Sequence, residues 1–133
     1  MLVVPKPDFL TQPYWDGARD GKLLFQHCRP CSHTWHPPLP ICPRCHAKEY
    51  EWRPSGGRGT VYSHTTIEHA AHVAVDGRTP YLVALVTLEE GPRVVANILN
   101  CPREQVSCGM AVELTFQEIA PGIVLPQFQP ART

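Results

Sequence analysis

The chain has 133 residues, with twelve basic and twelve acidic side chains, a formal net charge of zero and only 18% charged residues. That length holds one ordinary domain, or a compact domain with a small metal-stapled one beside it. Neutrality counts against a nucleic-acid role driven by phosphate neutralisation, no apolar run is long enough to span a bilayer, and fifteen prolines, about double the usual share, argue against long helices.

In chain order, Pro5 and Pro7 keep 1–10 extended. The apolar opening is too short for a secretory signal, so the expected setting is the reducing cytoplasm, where thiols stay available to metals. Thr11 is placed to N-cap a short helix, with Pro13 in its first turn and Tyr14, Trp15 and Ala18 as its apolar bulk. Gly21 is placed to end it as a left-handed residue. Residues 23–27 read as a strand entering a first cysteine pair and 49–52 as a strand leaving a second. A proline-rich excursion carrying Trp35 and His36 lies between the pairs.

The glycine-rich stretch Ser55-Gly56-Gly57-Arg58-Gly59 marks a boundary, dividing the chain into 1–54 and 55–133. Beyond it the pattern turns to strands of period two. Residues 60–67 are the first, followed by a loop through 74–78. The run YLVALVTL at 81–88 is nearly all apolar and is expected to be covered on both faces. A turn at 89–92 returns the chain through 93–99 in an antiparallel pairing. A helical turn at 102–106 and strands at 112–119 and 123–128 complete the pattern. Five short strands with a helical turn after the third fit a five-stranded OB-type barrel, although the count fits other small barrels too.

Cys28-Arg29-Pro30-Cys31 and Cys42-Pro43-Arg44-Cys45 are near mirror images, each with one proline and one arginine between its thiols. Zinc takes four soft or borderline ligands in a tetrahedron, and paired C-x-x-C turns supply them. Iron can occupy the same four-thiolate site. Redox C-x-x-C motifs usually occur singly at a helix start, not as a flanked pair. A closed set of four thiolates leaves no open coordination position, so the ion is expected to be structural. Ser32 and His46 stand after the second cysteine of each turn, where knuckles often place glycine for a positive φ. His27, His33, His36 and His46 read as surface groups or as groups behind the ligands. Cys101 and Cys108 stand at no metal spacing and read as buried thiols. No catalytic residue is assigned. His64, Glu68, His69 and His72 are the only cluster with acid–base potential, and they read as a solvated strand end.

Several segments together resemble a known family. They are Pro13-Tyr14-Trp15-Asp16-Gly17, Leu23-Leu24-Phe25-Gln26-His27-Cys28, Pro37 to Cys45, Trp52, Ser55 to Ser63, Pro80-Tyr81, Val83 to Val86, Glu90 to Arg93, and Leu125 to Phe128. Their order is similar to that of the zinc-ribbon plus OB-fold family associated with acyl-CoA metabolism, long catalogued only as a domain of unknown function. The resemblance implies a mainly β fold: an N-terminal helix and a rubredoxin-like zinc ribbon, then a five-stranded OB-fold barrel. It also implies a non-catalytic companion, with structural Zn2+, for a thiolase-like enzyme, an aldolase of the sterol-carrier thiolase type or a MaoC-type hydratase of lipid metabolism. Such a companion holds or channels acyl-CoA.

Phosphates call for arginine and adenine for an aromatic wall. Trp52, Arg53, Arg58 and Tyr62, around the glycine-rich joint, are therefore the candidate CoA groove, with ordinary solvated arginines as the alternative. Tyr14 and Trp15 are candidates for the partner interface, with core packing as the alternative. A nucleic-acid-binding zinc ribbon with an OB barrel is the rival reading. It requires basic residues among exposed aromatics, yet the strands from Tyr81 to Phe128 carry only Arg93.

Overall fold

The computed structural model describes residues 4–132, so the first three residues of the extended lead-in lie outside the described part. Helix α1 (Gln12–Arg19) is followed by β1 (Leu24–Cys28), β2 (Thr34–Trp35) and β3 (Tyr50–Pro54), and then by β4 (Arg58–Ile67), β5 (Tyr81–Leu88), β6 (Arg93–Ala96), β7 (Ala111–Ala120) and β8 (Ile123–Pro130). The structure is thus mainly β, as expected, with the barrel in the C-terminal half.

Helix α1 starts differently from the expected Thr11 cap. Thr11 has helical backbone angles and makes no cap of its own. Instead the Asp8 carboxylate accepts from Thr11 N–H at 2.8 Å while Thr11 Oγ1 accepts from Asp8 N–H at 3.1 Å. That reciprocal box satisfies two donors that a helix start otherwise leaves open. The far end matches expectation: Gly21 has φ +79°, Gly21 N–H reaches Ala18 O and Lys22 N–H reaches back to Gly17 O at 2.8 Å. This is the Schellman arrangement.

The first sheet has the order β2-β1-β3, all antiparallel. The second has the order β6-β5-β4-β7-β8. Strand β6 is shorter than expected, because after Ala96 the chain leaves β5 and crosses to β8. Ile98 bridges Phe128 in parallel, and Leu99 N–H donates to Phe128 O at 2.7 Å. This crossing nearly closes the barrel and removes a free edge. Two amides seal the seam: Asn97 N–H donates to Gln127 Oε1 at 2.7 Å, and Gln127 Nε2 donates to Asn97 Oδ1 and Gln117 Oε1.

The barrel core holds Val61, Leu82, Val86, Leu88, Val94, Val112 and Phe128. Tyr14, Leu23 and Phe25 belong to the same cluster, so the helix and the first ribbon strand pack as part of the barrel's core. Strand β5 corrects one expectation: its burial strictly alternates, with Leu82, Ala84, Val86 and Leu88 inside and Tyr81, Val83, Leu85 and Thr87 only half-buried. The second face is apolar without being fully covered. Among the described residues no helix is long and apolar enough to cross a membrane.

Candidate metal centre and ligand surfaces

The four cysteines sit in two backbone turns of matching design. Cys28 N–H donates to His33 O, and Ser32 N–H returns to Cys28 O. Cys42 N–H donates to Ala47 O, and His46 N–H returns to Cys42 O. All four bonds are 2.8–2.9 Å long. Ser32 (φ 62°) and His46 (φ 66°) both adopt the left-handed conformation that glycine would take without strain. The turns aim their thiols at one point, where the four Sγ atoms lie within 4.8 Å of one another. Cys28–Cys45 and Cys31–Cys42 are separated by 3.5 and 3.6 Å. A tetrahedron with Zn–S bonds of about 2.3 Å has S···S edges of about 3.8 Å, so the cluster is the right size for one ion.

Electrostatics fits the same use. Burial pushes the Cys28 thiol up to about 12 and also raises Cys31. Desolvation opposes ionisation of Cys42 as well, yet N–H groups of Cys45 and Arg44 directed at its sulfur bring it down to about 6. One sulfur is thus ready as thiolate, and Cys28, buried and raised, gains most from a cation that replaces its proton. Cys28, Trp35 and Cys42 form a small core of their own, packed by Cys31, Ala47 and Tyr50. None of His27, His33, His36 and His46 belongs to the four-thiol group. Cys101 is half-buried against the barrel core, whereas Cys108 is exposed, not buried as expected.

Gln26 is a residue that sequence reasoning missed. Buried on β1, it donates from Nε2 to Leu39 O at 2.7 Å and accepts Leu39 N–H at 2.8 Å. That pair fastens the proline-rich excursion, and with it the second knuckle, to the first strand. Glu90 is another: its carboxylate takes Ser55 Oγ at 2.7 Å and Gly56 N–H at 2.8 Å, fixing the joint between ribbon and barrel. Neither pairing leaves a local signal, since the partners are 13 and about 35 residues apart.

The residues expected to form a groove at the joint each have neighbours of their own. Trp52 packs against the barrel core, and Arg53 is held by Glu51 at 2.6 Å. Tyr62 is the extra residue of a β-bulge between Val61 and Ser63 and lies beneath Arg93, whose guanidinium carbon is 3.9 Å from the ring centroid. Arg58 lines a cavity of about 440 Å3 with Arg132, Glu89 and Glu113. Tyr14 is spent inside the core, against Trp15 and His36. Trp15 is only half-buried and lines two cavities, both also lined by Val95, which is 68% exposed. His64, Glu68, His69 and His72 are exposed at and beyond the end of β4.

Two family models match this chain: the "ChsH2, rubredoxin-like zinc ribbon domain" over residues 15–51 and the "ChsH2, C-terminal OB-fold domain" over 52–117. A "DUF35 domain-containing scaffold protein" of Methanocaldococcus jannaschii is 36% identical over 98 residues, which is 73% of this chain and 69% of that protein. The chain belongs to the DUF35 family. Among solved structures, an "Ltp2-ChsH2(DUF35) aldolase" contains a chain that superposes with TM-score 0.87 at 34% identity, covering 96% of this chain and 99% of that one. A "Probable enoyl-CoA hydratase alpha subunit" of Thermomonospora curvata is 36% identical over 118 residues, 89% of this DUF35 chain. The chain spans only 36% of that subunit's length. The DUF35 ribbon is of the rubredoxin-like zinc type, and its four clustered thiols fit structural zinc.

Proposed function

We propose that this chain is a non-catalytic scaffold subunit that docks on a thiolase-like, aldolase or hydratase enzyme and helps hold its acyl-CoA substrate. The observation that carries the reading is the likeness, over nearly the full length of both chains, to the DUF35 part of an aldolase complex. The DUF35 scaffold relative and the hydratase subunit relative support it from two further sides. Zinc on Cys28, Cys31, Cys42 and Cys45 staples the ribbon, and the chemistry resides in the partner.

The docking surface follows from the half-open face of β5. Val83 and Leu85 are flanked there by Val95 on β6, with Trp15, Pro37 and Pro38 at its margin. The three cavities on this face all include Val95. An apolar patch with an aromatic at its border is what an interface centre requires. The only charged side chain among these lining residues is Arg93, half engaged with Tyr62, which favours a partner surface that is apolar with a carboxylate facing Arg93.

Co-production with a thiolase-, aldolase- or hydratase-type subunit from the same organism, followed by size-exclusion chromatography with light scattering, tests the reading. A mixed oligomer is expected, disrupted by Val95→Glu and weakened by Trp15→Ala. Separate elution of both wild-type proteins contradicts it.

A further inference from the structure

At the end of β5 away from the glycine-rich joint, a cavity of about 460 Å3 opens between two loops. One loop follows the short 3-10 turn Val73–Val75 and brings Arg78. The other carries the 3-10 turn Arg103–Gln105 and brings Arg103. Tyr81, Leu82, Ile98 and Leu99 supply the walls. Gln117 lines it too; its Oε1 accepts from Gln127, so its amide N–H groups are left for the cavity.

The charge balance here differs from that of the cavity at the joint. The cavity at the joint has two arginines but also two glutamates. In the Arg78–Arg103 cavity no lining residue is acidic. Arg78 has no carboxylate within 4.0 Å among the described residues, and the one contact of Arg103, to the adjacent exposed Glu104 at 3.6 Å, is a weak surface pair. Two guanidinium groups from separate loops, set around an apolar and aromatic wall, match a ligand that is itself flat and apolar with anionic oxygens at its edge. The volume is within the roughly 300–1,000 Å3 range of small-molecule sites.

We infer that the Arg78–Arg103 cavity binds a phosphate-bearing, nucleotide-like group, with both arginines on phosphate oxygens and the flat ring against the Tyr81–Ile98 wall. The class of ligand stands on the cavity. Its identity as the nucleotide end of CoA rests on the acyl-CoA reading above. This moves the expected anion contacts from Arg53 and Arg58 at the joint to the opposite end of the strand.

Calorimetry and amide-resolved NMR on the full chain, with CoA, adenosine 3′,5′-bisphosphate and pantetheine as separate probes, test the site. CoA and the bisphosphate are expected to bind and to shift amides of 75–82 and 97–103, and Arg78→Gln and Arg103→Gln are each expected to weaken binding about tenfold. Arg53→Gln is expected to bind as the wild type does. No heat and no shifts with either phosphate probe would overturn the site, as would unchanged affinity in both cavity variants. Binding of pantetheine without the bisphosphate removes this site and leaves the acyl-CoA reading standing. Binding of the bisphosphate with CoA excluded keeps the site and removes that reading.

Discussion

At the residue scale, His36 shows how burial sets a charge state. Its ring lies between Tyr14 (centroids 5.3 Å apart) and Phe25 (5.7 Å), and burial lowers its pKa from 6.5 to about 4. Since the folded value is the lower one, the unfolded chain takes up a proton that the folded chain refuses. Stability is therefore whole above about pH 6.5 and declines as pH falls towards 4, by about 3 kcal/mol at most. Urea unfolding at several pH values should show a shallower acid loss for His36→Leu than for the wild type; equal slopes would mean that His36 titrates normally. The knuckle residues allow a second prediction of opposite sign. Ser32 and His46 hold left-handed angles that carry a penalty of about 1 kcal/mol for residues with a Cβ. Ser32→Gly should therefore raise the stability of the zinc-loaded chain slightly, as read by thermal melting, without altering zinc content.

The zinc ligands themselves are the most legible residues in the sequence, because a metal that needs ligands a few ångströms apart writes its requirement as short local spacing. Gln26 and Glu90 are not legible, because each secures a loop across many intervening residues and nothing near it in sequence changes period. The partners of Tyr62 and Arg53 are hidden for a related reason. Proximity in sequence to the joint is real, but a bulge turns Tyr62 towards Arg93, and a neighbour two positions away takes up Arg53.

Among the elements, β4, β7 and β8 were placed to within a few residues by strand patterning bounded by turns, and β5 by its apolar run. The two-residue β2 carries no such pattern; it exists because β1 offers it partners at Gln26 and His27. The end of β6 was misplaced because an apolar run does not say which neighbour it pairs with, and here 97–99 abandons β5 for β8. The joint between ribbon and barrel is rigid for a reason visible at this scale. Gly57 has φ +79°, a Cβ there would stand 2.8 Å from the Leu114 Cβ, and its carbonyl accepts Leu114 N–H at 2.8 Å. Gly57→Ala should cost about 1–3 kcal/mol in chemical denaturation. A loss below a few tenths would show that the joint yields freely.

For the whole molecule, two cores of unequal size determine how it responds to metal. The large cluster joins helix, first ribbon strand and barrel, whereas the small one holds only Cys28, Trp35 and Cys42, packed by Cys31, Ala47 and Tyr50, so metal ligands make up much of it. Removing zinc with a chelator, or replacing Cys28 with serine, should lower the melting temperature and abolish amide protection in 28–50 while the barrel strands stay protected. Global unfolding would mean that the metal supports more than its ribbon. Zinc uptake should weaken as pH falls, because thiols raised by desolvation, as Cys28 and Cys31 are, must give up protons to bind. Exposed Val95 and the half-open face of β5 leave an apolar patch on the surface of the single chain, where the proposed partner would dock. The most direct measurement is acyl-CoA turnover by a thiolase-, aldolase- or hydratase-type subunit from the same organism, assayed alone and with this chain added, beside an assay of this chain by itself. The scaffold account predicts no turnover by this chain alone and a gain in the partner's turnover or lifetime on adding it, lost with Val95→Glu. Turnover by this chain alone, or a partner indifferent to its presence, would contradict it.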